Sequence, residues 1–76
     1  MPSDIGLAEA IKDALFKDDR LLEKHIQVEV ANGVVRLHGF VRTGEGRMVA
    51  QQIAASSHGC RKVINRLQVR GQEMKL

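Results

Sequence analysis

Apolar residues recur at two different periods along this chain, and the change of period divides it into elements. Between Asp4 and Phe16, Leu7, Ala8, Ile11, Ala14 and Leu15 return at spacings of three and four, which gathers them on one face of a helix. Ser3 or Asp4 is placed to cap that helix, and Asp4 suits the positive end of its dipole. Lys17-Asp18-Asp19 should end it, with Leu21 and Leu22 folding back onto the core. From Ile26 the period drops to two: Ile26, Val28 and Val30 alternate with Gln27 and Glu29, the pattern of a strand with one buried face.

Asn32-Gly33 follows, two residues that tolerate positive φ and suit a type I′ turn, and the chain returns as Val34-Val35-Arg36-Leu37-His38-Gly39. A two-residue loop fixes the register. It pairs Ala31 with Val34, Val30 with Val35, Glu29 with Arg36, Val28 with Leu37 and Gln27 with His38. Ile26, Val28, Val30, Val35 and Leu37 then face the core, and Glu29 should form an exposed charge pair with Arg36.

Thr43 is the N-cap expected for a second helix defined by Met48, Val49, Ile53, Ala54 and Ser57, which Gly59 would end as a left-handed cap. Beyond it, Val63, Asn65, Leu67 and Val69 alternate with Ile64, Arg66, Gln68 and Arg70, predicting one continuous third strand. The order is αββαβ. It implies an α/β two-layer sandwich, a three-stranded mixed sheet with both helices on one face, and strand three parallel to strand two because a helix joins them. Val28, Leu37, Ile53 and Leu67 should be buried at the interface of the layers.

The run Ile26-Gln27-Val28-Glu29-Val30-Ala31-Asn32-Gly33-Val34-Val35-Arg36-Leu37-His38-Gly39-Phe40-Val41 resembles the centre of the BON domain pattern. Ile53-Ala54, and Gly59 through Val63-Ile64-Asn65-Arg66-Leu67-Gln68-Val69, are similar to its ending. Cys60 departs from it, standing where the pattern usually has a β-branched residue, and a small, commonly buried cysteine leaves the fold intact. Asn32, Gly33, Gly39 and Gly59 are structural turn positions in this reading, with Gly39 on the core side, where a missing side chain would let a helix approach. The resemblance implies a single domain over residues 3–71 with short flexible termini at 1–2 and 72–76. It also implies attachment to phospholipid or membrane, envelope and stress-related contexts, and, in relatives fused to other modules, potassium sensing.

The chain's 76 residues allow one domain with a thin core, leaving little room for a deep, dry pocket. The lone Cys60 rules out an intrachain disulfide. The N-terminus does not read as a signal peptide, and no apolar run approaches the ~20 residues that span a bilayer. If complete, the chain is expected in the cytoplasm; if excised from a secreted protein, in the periplasm or cell envelope. The net charge of +3 is unevenly spread: six acids against four bases give −2 over residues 1–24, and eight bases against three acids give +5 over residues 25–76. An anionic partner should therefore meet the second part of the chain.

The helix-free sheet face is where that charge collects. Arg36, His38, Phe40, Arg42, Ile64, Arg66 and Arg70 share it with Gln27, Glu29, Val34 and Gln68, a composition suited to anionic lipid headgroups and equally to an ordinary solvated sheet. Two other functions stay open, a protein-interaction or regulatory module that binds itself, a tandem copy or a fused domain, and a small-ion sensor. Nucleic acid is not an expected partner, because Phe16 and Phe40 are the only aromatic side chains of the Phe, Tyr and Trp class and Gly44-Glu45-Gly46-Arg47 is no phosphate loop. It reads as the beginning of a helix. No cofactor is expected, and no metal site: His25 and His38, diagonal neighbours, could converge on an ion but supply only two ligands, and His58-x-Cys60 lacks zinc spacing. No catalytic order of Ser, His, Cys or Asp can be assembled, so no enzyme is expected, and Asp18-Asp19 reads as a helix-ending loop.

Overall fold

A computed structural model describes residues 4–21 and 25–70. Ser3, Leu22 and the outer limits of the expected domain lie outside the described residues. The elements run α1 (Asp4–Lys17), β1 (His25–Ala31), β2 (Val34–Val41), α2 (Gly44–Ala55), β3 (Lys62–Asn65) and β4 (Gln68–Val69). The two helices and a four-stranded mixed sheet form the expected two-layer α/β sandwich.

Strand β2 is the centre of the sheet. It pairs antiparallel with β1 in the register set by the two-residue turn, Ala31 with Val34 through Gln27 with His38, and on to His25 with Phe40. Asn32 at φ 53° and Gly33 at φ 79° provide the turn. On its other side β2 pairs parallel with β3 and then β4, the parallel orientation expected from the helix that joins strands two and three. The expected single third strand is divided. Leu37 pairs with Asn65 and Phe40 with Gln68, so the register is kept while Arg66 and Leu67 leave the ladder. Asn65 causes the break: its Oδ1 accepts from the Leu67 N–H at 3.0 Å, a local turn that competes with strand geometry.

Leu7, Ile11 and Leu15 of α1, Leu21, Val28, Val35, Leu37, Val41, Val49, Ala50, Ala54 and Leu67 form the core. Three of the four residues expected at the interface, Val28, Leu37 and Leu67, are buried; Ile53 is half-buried against them. Ala14, Met48 and Val69 are exposed, against expectation. Ala14 flanks a narrow stripe made by Leu7, Ile11 and Leu15. Met48, two residues from the buried Ala50, falls on nearly the opposite side of α2. Val69 sits in the two-residue β4 at the end of the sheet.

Two capping expectations change and one holds. Thr43 caps α2, with extended φ and ψ and its Oγ1 accepting from the Gly46 N–H at 2.9 Å. Gly59 does not cap that helix: Ser56 does, its N–H bonded to the Gln52 carbonyl, and Gly59 at φ 98° closes the next turn, where the Cys60 N–H donates to Ser57. Asp4 is the first helical residue, and its carboxylate is taken up elsewhere. It accepts from the N–H groups of Asn32 at 2.8 Å and Gly33 at 3.1 Å, tying the start of α1 to the hairpin tip. Asp4→Ala should therefore lower stability by about 1.5–2 kcal/mol, the lower part of the range for hydrogen bonds to a charged group because one of the two is exposed. Urea unfolding reads this directly; an unchanged midpoint would mean that the contact adds nothing to stability.

Candidate functional site

Because the helices cover the Val28–Leu37 side of the sheet, alternation sends Gln27, Glu29, Arg36, His38 and Phe40 to the other side. The parallel register sets Ile64 beside Arg36, and Gln68 beside Phe40. Arg66 follows, its N–H donating to the Leu37 carbonyl at 2.9 Å, and the Arg70 N–H donates to Val41 at 2.7 Å. Arg36, Arg42, Arg66 and Arg70 are exposed, while His38, Phe40 and Ile64 are half-buried.

The geometry brings three residues into direct contact at one end of this face. His25 stacks on Phe40 with ring centroids 4.7 Å apart and planes 21° from parallel, and the Arg70 guanidinium lies 5.1 Å from the centre of the same ring. Phe40 is thus an aromatic platform held between a histidine and an arginine, not the bare apolar group the sequence suggests. Ile64 is likewise not strongly exposed. The large apolar side chains that are exposed lie elsewhere: Ile5 and Phe16 on α1, Met48 on α2 and Val69 in β4.

Glu29 and Arg36 are Cα partners, yet the Glu29 carboxylate lies diagonally toward His38, with Oε1 3.4 Å from Nε2, a contact that makes no hydrogen bond and is an ion pair only with a protonated imidazole. Diagonal neighbours on a strand pair are within reach of long side chains. The expected Glu29–Arg36 pair is not formed, and among the described residues no ion pair engages Arg36. His25 and His38 do not converge on an ion, since one stacks on Phe40 and the other faces Glu29. Among the described residues no group of three or more His, Cys, Asp or Glu could hold a metal.

Two members of the face escaped the sequence reading. Lys62, opposite Val34 and exposed, extends its positive charge by one strand step; carrying the alternation back from Ile64 by two residues would have found it. His25 reads from the sequence only as a candidate ligand, although its place opposite Phe40 follows from continuing the hairpin register. The acids Asp18-Asp19 sit in the loop after α1, where Asp18 accepts from the Arg20 side chain at 2.7 and 3.0 Å. That hydrogen bond, with the Asp18 charge, raises the Arg20 guanidinium above its ordinary value. No helix among the described residues is long and apolar enough to cross a membrane.

The BON domain model matches residues 3–71, and the chain belongs to that family, which is consistent with a binding module. A search of curated proteins finds none that matches.

Proposed function

We propose that this domain is a peripheral attachment module that lays its helix-free sheet face on anionic phospholipid. The observation that carries this reading is charge imbalance on one surface. Arg36, Lys62, Arg66 and Arg70 are exposed there, against Glu29, which lies toward His38. Each base near an anionic bilayer surface contributes about 1 kcal/mol, so four together supply useful reversible affinity without a lipid anchor. Phe40 is stacked and half-buried, which makes the contact electrostatic more than insertional. Such a contact is screened within about 8 Å at physiological ionic strength.

Co-sedimentation with phosphatidylglycerol-containing vesicles tests the proposal. Wild type should bind at low salt, release as salt rises, and ignore vesicles of neutral lipid. Arg36→Glu with Arg66→Glu reverses two charges at exposed positions and should weaken binding by roughly three orders of magnitude, from about 1 kcal/mol for each of four charge units. Wild type that stays in the supernatant at low salt, or a double variant that sediments as well as wild type, would end the lipid reading. The protein-interaction reading has support of its own, at the edge of the sheet.

A further inference from the structure

The two edges of this sheet are treated differently. Along β3 and β4 the carbonyls of Asn65 and Leu67 face away from β2, and both are occupied: Arg47 of α2 donates from Nε to Leu67 at 3.0 Å and from Nη2 to Asn65 at 3.1 Å. The Leu67 N–H is taken by Asn65 Oδ1, and Asn65 Nδ2 donates back to the Arg47 carbonyl and to Gln51 Oε1. That edge is broken into short pieces, and side chains take up its outward Asn65 and Leu67 carbonyls and the Leu67 N–H.

Among the described residues the β1 edge has no such seal. The two-residue turn makes Ala31 and Val34 a hydrogen-bonded pair, and the alternation of an antiparallel ladder then turns the backbone of Glu29, Gln27 and His25 toward β2. On β2, the carbonyls of Leu37 and Val41 point to the other neighbour, as this parity requires. The N–H and C=O groups of Ile26, Val28 and Val30 must therefore point outward. Among the described residues no strand pairs with β1 on that side. The strand is seven residues long, has no proline, lysine or bulge of the kind that discourages edge-to-edge pairing, and carries a single charged carboxylate, Glu29.

We propose that β1 pairs antiparallel with β1 of a second copy of this chain, about a two-fold axis through Val28 and normal to the sheet. The strand's own sequence selects this occupant. Centred on Val28, the three outward-facing residues meet each other, Ile26 against Val30 on both sides of the axis, so all their donors and acceptors find partners. On the open face Gln27 lies against Glu29 of the other copy, twice, which opposes no like charges. Phe16, 71% exposed, lines a shallow groove with Lys12, Leu15 and Ile26, at the end of this strand. An axis normal to the sheet keeps both basic faces on the same side.

The whole chain, without lipid, suffices for the test. Sedimentation equilibrium over micromolar to millimolar protein should show a monomer–dimer equilibrium, with the amides of Ile26, Val28 and Val30 gaining protection from hydrogen exchange as concentration rises. Gln27→Glu sets like charges against each other at two places and should raise the dissociation constant roughly two- to thirty-fold, at about 0.2–1 kcal/mol per contact. Adding Glu29→Lys to that variant makes both contacts attractive and should restore dimerisation. Both positions are exposed, and circular dichroism melts verify that the fold is kept. A chain that stays monomeric at millimolar concentration overturns the proposal, as does a dimer that protects other amides and ignores the charge swap. Neither result bears on lipid binding, which is read separately with vesicles.

Discussion

Leu37→Ala should lower unfolding free energy by about 2–5 kcal/mol, from lost transfer energy and the cavity left behind. Leu37 has no solvent exposure, sits in the central strand β2, and pairs with Val28 on one side and Asn65 on the other. Neighbouring backbone on both sides limits how far the site can collapse, which argues for the upper half of that range. A chain of this length has a stability of only about 4–11 kcal/mol, so the loss is a large fraction of the total. The melting temperature should fall by more than 10 °C, at roughly 4–8 °C per kcal/mol for a domain of this size. Leu37→Met, which nearly conserves volume, should cost under about 1.5 kcal/mol. If the alanine variant melted within a few degrees of wild type, the central place of Leu37 in the core would be wrong.

What the sequence reveals and what it hides divide along a physical line. The hairpin register was legible because a two-residue Asn-Gly turn and a period of two are local, and each constrains the other. The break in the third strand was not, because it depends on Asn65, Arg47 and Leu67 meeting across separate elements. Alternation alone reads straight through Arg66-Leu67. Helix faces were legible at Ile11 in α1 and at Val49 and Ala54 in α2, and failed at Ala14 and Met48, where packing geometry decides. Of the candidate site, phase placed Arg36, His38, Phe40 and Ile64 on one face, but phase says nothing of side-chain direction. Hence the stacking of His25 and Arg70 on Phe40, and the turn of Glu29 toward His38, became visible only in three dimensions.

Gly39→Ala is the other substitution expected to be severe, and for a different reason from the one its sequence position suggests. Lying on the core phase of β2, Gly39 was expected to make room for a helix. The space is instead taken by strand β1: a Cβ built on Gly39 would run into the carbonyl oxygen of His25, with the His25 carbonyl carbon and the Ile26 Cα close behind. Gly39 faces Ile26 in a pair that is not hydrogen-bonded, where antiparallel chains come closest together. Its φ of 117° lies where side chains are rarely tolerated, so alanine meets strain as well as collision. The obstacle is backbone, which cannot rotate aside. Strain of about 1–3 kcal/mol and overpacking of similar size give an expected cost of roughly 2–6 kcal/mol. The damage should be local at first, opening the His25–Phe40 end of the hairpin while the Asn32-Gly33 end stays paired. Amide exchange should accordingly rise at Gln27 and Phe40 before it rises at Glu29 and Val34. Because His25 and Phe40 form the stacked end of the basic face, vesicle binding should fall with it even at temperatures where most of the chain remains folded. An alanine variant with wild-type stability and unchanged exchange at Phe40 would show that β1 can move away from Gly39 freely, and would remove the strand-to-strand explanation for this glycine.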